Sequence, residues 1–197
     1  MKTRTLILLT VAIGALLGLW MCLTGCAEKS TFNTEDVTLV EESTYHRLFL
    51  SENMYHCEFL DHSGNVIKTE GPMPKQPRIL VLGDGLIRFT LQAGTGQATQ
   101  WGYFYNTVDG SFSEVFQCIW DQSAGLVAFS EANTVIVRDI FDDQGFYQKI
   151  DVFQQPFSPA AQVFTDVCFT EDGASIEITY LSGANYRKVT EVFPLEK

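Results

Sequence analysis

After residue 40, apolar residues fall in short runs rich in Val, Ile, Phe, Tyr and Thr. No long stretch repeats them at the three-and-four spacing of a helix. Between the runs stand turn clusters: His62-Ser63-Gly64-Asn65, Gly83-Asp84-Gly85, Val108-Asp109-Gly110, Ser123-Ala124-Gly125, Glu131-Ala132-Asn133, Asp142-Asp143-Gln144-Gly145, Glu171-Asp172-Gly173 and Ser182-Gly183-Ala184-Asn185. Gly and Asn tolerate positive φ, and Asp holds a turn with its carboxylate, so these clusters suit hairpin loops. The pattern predicts an antiparallel all-β domain. Pro72, Pro74 and Pro77 mark a loop between an N-terminal hairpin and the rest.

Within that pattern a motif recurs. "SEVF" (113–116), "IDVF" (150–153) and "TEVF" (190–193) each end a strand that follows a Gly-containing turn, at spacings of 37 and 40 residues. Each closes a unit of strand, turn, strand, Gly turn and strand. A fourth unit precedes them, from "YHRLFL" through "YHCEFLDHSGNVIKTE". Short strands at a period near 40 predict a propeller-like array of about four small hairpin units. A β-sandwich or meander barrel built from the same hairpins is the alternative. On the repeat reading, Phe116, Phe153 and Phe193 take equivalent places at strand ends, packed inside.

The first residues break the pattern. Lys2 and Arg4 precede an almost wholly apolar run from Leu6 to Trp20, as in a secretory leader. The run ends in Leu23-Thr24-Gly25-Cys26, which resembles the lipobox of bacterial lipoproteins. The resemblance implies that the Cys26 thiol takes a diacylglyceryl group, that the chain is cut after Gly25, and that Cys26 becomes the new N-terminus. Ala27 and Glu28 follow, not the aspartate of an inner-membrane retention signal. An uncleaved signal-anchor helix is the other reading, since Leu6–Leu23 approaches the ~20 residues that span a bilayer. Both place the domain outside the cytoplasm. The organisation expected is a lipoprotein signal peptide at 1–25, a lipidated tether at 26–38 and an all-β domain at 39–197. From Arg78 to Leu195, "LQAGTGQATQWGYFYNTVDGSFSEVF", "VIVRDIF" and "ITYLSGANYRKVTEVF" look like small uncharacterised surface lipoproteins of Gram-positive gut-type bacteria. That resemblance implies compartment and fold type alone.

Charge narrows the partners. The chain carries a formal charge of −11, and loss of Lys2 and Arg4 with the leader makes it −13. Such a surface repels nucleic acid and anionic lipid heads. Of five cysteines, Cys22 leaves with the leader and Cys26 is the lipid site. Cys57, Cys118 and Cys168 remain, an odd number inside apolar runs, which fits small buried hydrophobes better than a disulfide framework.

Candidate chemistry is sparse. Gly83-Asp84-Gly85 lacks the third glycine of a dinucleotide fingerprint, because Arg88 stands in its place. Gly94 and Gly96 lack the lysine of a phosphate loop. His46, His56 and His62 share one stretch, but His56 and Cys57 point to opposite faces of a strand, so no metal site is expected. Asp139, Asp142, Asp143 and Gly145 lack the order and closing glutamate of an EF-hand. The surface candidate is "QWGYFYN": Trp101, Tyr103 and Tyr105 share one strand face, as a stripe that stacks on sugar rings or as cross-strand core. These readings point to a lipid-anchored, extracytoplasmic, non-enzymatic binding or interaction module without cofactor. Its partners would be the membrane, through the anchor, and a protein or glycan ligand. A glycan-binding accessory lipoprotein and a hydrolase without a sequence signature are the alternatives.

Overall fold

The computed structural model describes residues 37–94, 99–142, 145–151 and 163–196. The leader, Cys26, nearly all of the tether, and Phe153 lie outside the described residues. The chain divides into two units, the second of which begins at Thr38.

The fold is all-β, in four successive antiparallel sheets, each a meander whose strands pair in chain order. The first holds β1 (Thr38–Glu42), β2 (His46–Ser51), β3 (Met54–Leu60) and β4 (Val66–Met73). The second holds β5 (Arg78–Val81), β6 (Leu86–Gln92), β7 (Gln100–Asn106) and β8 (Phe116–Gln117). The third holds β9 (Ile119–Ser123), β10 (Leu126–Glu131), β11 (Thr134–Asp139) and β12 (Tyr147–Asp151). The fourth holds β13 (Phe164–Phe169), β14 (Ser175–Ser182) and β15 (Arg187–Pro194). Among the described residues, four sheets match the four repeat units, and the architecture is propeller-like with no closed barrel.

Turn chemistry explains the strand breaks. Asp84 and Gly85 take φ of 59° and 74° between β5 and β6. Glu52 and Asn53 turn β2 into β3 at φ of 51° and 63° without any glycine, so that hairpin carries no Gly signal. In its register His46 faces Phe59, and Phe49 faces His56. One expectation is corrected. Pro72 is not in a loop, because β4 runs through it to Met73, and Met73 pairs with Tyr55. An edge strand tolerates proline where no partner needs its missing N–H.

Three cores lie between consecutive sheets. Leu48, Cys57, Phe59 and Met73 meet Ile87, Phe89, Leu91, Tyr103 and Tyr105 between the first and second. Phe104 and Phe116 meet Ile119, Val127, Phe129 and Ile136 between the second and third. Leu126, Ala128, Val135 and Val137 meet Phe164, Val167, Ile176, Ile178 and Tyr180 between the third and fourth. The middle sheets thus bury both faces, which is why β6, β7, β10 and β11 read as nearly unbroken apolar runs. The end sheets turn one polar face outward. On the first, Arg47 pairs with Glu42 at 3.0 Å. On the fourth, Thr179 and Thr190 share a hydrogen bond of 2.9 Å.

Among the described residues, the motif closes a sheet twice: Phe116 opens β8, and Thr190-Glu191-Val192-Phe193 lie within β15. Phe116 opposes Gly102 in β7 and is 1 % exposed. Phe193 opposes Ile176 in β14 and packs half-buried against the third core. Both oppose a residue near the start of the preceding strand, but only Phe116 is fully inside. The difference follows from position, since Phe193 lies on the outer strand of an end sheet.

Candidate functional site

Strand β7 distributes its aromatic residues by alternation. Trp101, Tyr103 and Tyr105 face the first sheet, as the period-two reading expects. Tyr103 and Tyr105 are 1 % and 0 % exposed, however, so these two rings follow the cross-strand core reading of the stripe and are not a surface. The reason is that this face of β7 is covered by β3 and β4. Tyr103 stacks on Phe89 at 5.0 Å, and Tyr105 stacks on Phe112 at 4.7 Å. The Tyr105 hydroxyl donates to the Leu60 carbonyl at 2.8 Å.

Trp101 differs. It is half-buried and lines a cleft of about 360 Å³ with Leu91, Met73, Glu70, Gln92 and Lys75. Leu91 faces Trp101 across β6 and β7. The cleft opens at the edge of the seam between the first and second sheets. Lys75 donates to the Ala93 and Gly94 carbonyls at 3.4 and 3.3 Å, which tethers the β4–β5 connection across the seam. Glu70 pairs with Lys68 at 2.9 Å. The Lys68 ammonium lies 3.8 Å from the Tyr103 ring centroid, a cation–π contact that draws the charge pair against the apolar wall. Burial, reinforced by the Glu70 carboxylate, pushes the Tyr103 phenol up, so it stays neutral. A mainly apolar concavity with a few fixed polar groups is the ordinary form of a small-molecule site. The sequence pointed to Trp101 but missed the β4 side of the cleft, whose only signal was the proline cluster at 72–77.

The remaining candidates serve the fold. His46 is 1 % exposed, between Ser43 Oγ at 2.7 Å and Glu41 Oε1 at 3.0 Å. Ser43 Oγ also accepts the N–H groups of Tyr45 and His46, so the trio closes the β1–β2 turn. Tyr45 meets the His62 ring edge-on at 5.5 Å. Asp139 accepts the Phe146 N–H at 2.6 Å, and Asp142 pairs with Arg138 at 3.3 Å. Both hold the β11–β12 hairpin. Among the described residues, no three His, Cys, Asp or Glu side chains converge as metal ligands.

Cys57, Cys118 and Cys168 are free thiols, the first two buried. Burial, then the charges of Glu70, Glu41 and Glu58, pushes Cys57 from its ordinary 9.0 to about 12. Iodoacetamide at pH 8 should therefore label Cys168 first and reach Cys57 only on unfolding, as read by peptide mass spectrometry. The unfolded chain ionises Cys57 near 9 and the folded chain near 12. Its contribution to stability is whole below pH 9 and is lost as pH rises toward 12.

No protein-family model matches the chain, and no curated protein matches it. Among solved structures, it is similar to the computationally designed Ika4 protein at 13 % identity and a TM-score of 0.40. The match covers 84 % of this chain and 94 % of that one.

Proposed function

We propose that this chain is a non-enzymatic binding module, held on the extracytoplasmic face of a bacterial membrane by lipid on Cys26, that takes a ligand into the cleft beside Trp101. The observation that carries this reading is the coincidence of a half-buried indole with a concave site bearing Glu70, Gln92 and Lys75. A flat apolar ring flanked by a carboxylate, an amide and an ammonium suits a sugar ring, with one apolar face and a rim of hydroxyls, so a glycan is the ligand class favoured. Against a hydrolase stands the inventory of the cleft. Among the described residues its lining holds one carboxylate, Glu70, already paired with Lys68, whereas carboxylate-catalysed glycoside hydrolysis needs two.

One experiment with two arms tests the reading. In cells, Cys26→Ala should abolish palmitate labelling and release the protein from membranes; labelling that survives would remove the anchor. In vitro, Trp120→Phe leaves Trp101 as the sole tryptophan of the processed chain. Oligosaccharides titrated into that variant should shift its fluorescence saturably, and Trp101→Ala should abolish binding measured by calorimetry. A ligand bound equally well by Trp101→Ala would move the site elsewhere.

A further inference from the structure

The other face of the second sheet holds an arginine that the fold does not satisfy. Arg88 lies mid-strand in "LIRFTL" and faces the third sheet, opposite Phe104. It is 9 % exposed. Its Nη1 donates to Gln122 Oε1 on β9, while its Nε has no partner. Two residues along on the same face, Thr90 is 3 % exposed and its hydroxyl is likewise unpartnered. Arg78 opposes Thr90 across β5 and β6, so its side chain shares that face, and it is exposed at the margin. Two arginines and a threonine thus share one face of the sheet. Among the described residues, no carboxylate lies within ion-pairing distance of Arg88. The acid that most influences it, Asp121, accepts the Phe169 N–H at 2.9 Å.

A buried, uncompensated cation is costly, and an apolar side chain of similar volume would be neutral or stabilising in its place. Here the cost is compounded by a second cation beside it. We propose that Arg88, Thr90 and Arg78 form an oxyanion site between the second and third sheets. Gln122 occupies Nη1 and so orients the guanidinium. The Nε edge is left to donate to an anionic oxygen, with the Thr90 hydroxyl as a further donor and the exposed Arg78 as a guiding charge. Arginine grips two neighbouring oxygens in its fork, so the ligand chemistry is a carboxylate or a phosphate group. The site is independent of the Trp101 cleft, which lies on the opposite face of β6 and β7.

The test uses the full chain in detergent, with inorganic phosphate, acetate and chloride compared at equal ionic strength. Phosphate or acetate should raise the melting temperature saturably over chloride, and the anion that does so at lower concentration identifies the source. Arg78→Gln, a substitution at an exposed position, should fold as the parent and bind the anion about tenfold more weakly, the loss of the neighbouring positive charge. Arg88→Met should melt at or above the parent in chloride and lose the response to phosphate and acetate. The proposal is overturned if neither anion gives a saturable rise, or if Arg78→Gln binds as the parent. Should Arg88→Met fail to fold, the affinity of Arg78→Gln decides alone.

Discussion

Phe59→Ala should lower the stability of the domain by ~3–5 kcal/mol, the cost of deleting a buried aromatic ring. Phe59 is 0 % exposed. Its ring meets those of Phe89, Tyr103, Tyr105 and Phe112 at 5.7, 5.8, 5.6 and 5.4 Å. Its neighbours are themselves large and mutually packed, so they cannot collapse into the space. Domains of this kind have about 5–15 kcal/mol to lose, and the melting temperature should fall by roughly 6–20 °C. Tyr147, 59 % exposed on the outer strand of the third sheet, is the control. Its alanine variant should stay within about 0.5 kcal/mol of the parent. Urea melts of the two variants separate these outcomes. Equal midpoints would mean that the first core does not hold the first sheet to the second.

The second large effect comes from adding an atom. Gly102 faces the second core, where a Cβ would lie 2.3 Å from the Phe89 carbonyl oxygen and 3.2 Å from Ile119 Cδ1. The first obstacle is backbone, so no rotamer change relieves it; β6 and β7 must part. Overpacking costs ~1–3 kcal/mol and occasionally more, and a backbone obstacle places Gly102→Ala at the upper end. Gly83 supplies the contrast, since a Cβ there meets nothing within 4 Å. Gly83→Ala should melt as the parent does. If both variants do, the two strands approach each other less closely than that contact requires.

The two substitutions mark what the sequence reveals and what it hides. Strand ends are legible because Gly, Asn and Asp are selected by backbone conformation, a local property. All eight turn clusters fall at strand junctions, whereas the glycine-free turns between β1 and β2 and at Glu52-Asn53 carry no signal. The repeat is legible because each sheet is one contiguous segment. The partner of each strand face is not. Alternation in "QWGYFYN" assigns residues to two faces but does not say which face meets solvent, and in a sheet covered on both sides neither does. Hence Tyr103 and Tyr105, candidates for a surface, prove to be core. Arg88 is visible in the sequence only as the residue spoiling a glycine motif. Its meaning depends on Gln122, thirty-four positions away, a distance over which no sequence pattern reports.

The alternation of sheets and cores also sets how the domain comes apart. Each of the three cores joins sheets adjacent in the chain, so the coupling is nearest-neighbour, as in repeat proteins. Opening an end sheet breaks one interface, whereas opening a middle sheet breaks two. Amide hydrogen exchange should record this as a gradient, with the second and third sheets protected longest and the first and fourth opening first. The two proposed sites sit at different depths in that gradient. The Trp101 cleft depends on the first interface, which the most readily opened end controls, while Arg88 lies at the central one. A ligand in the cleft would therefore slow exchange in β1 to β4 most, and an anion at Arg88 would raise the barrier to opening across the middle of the array.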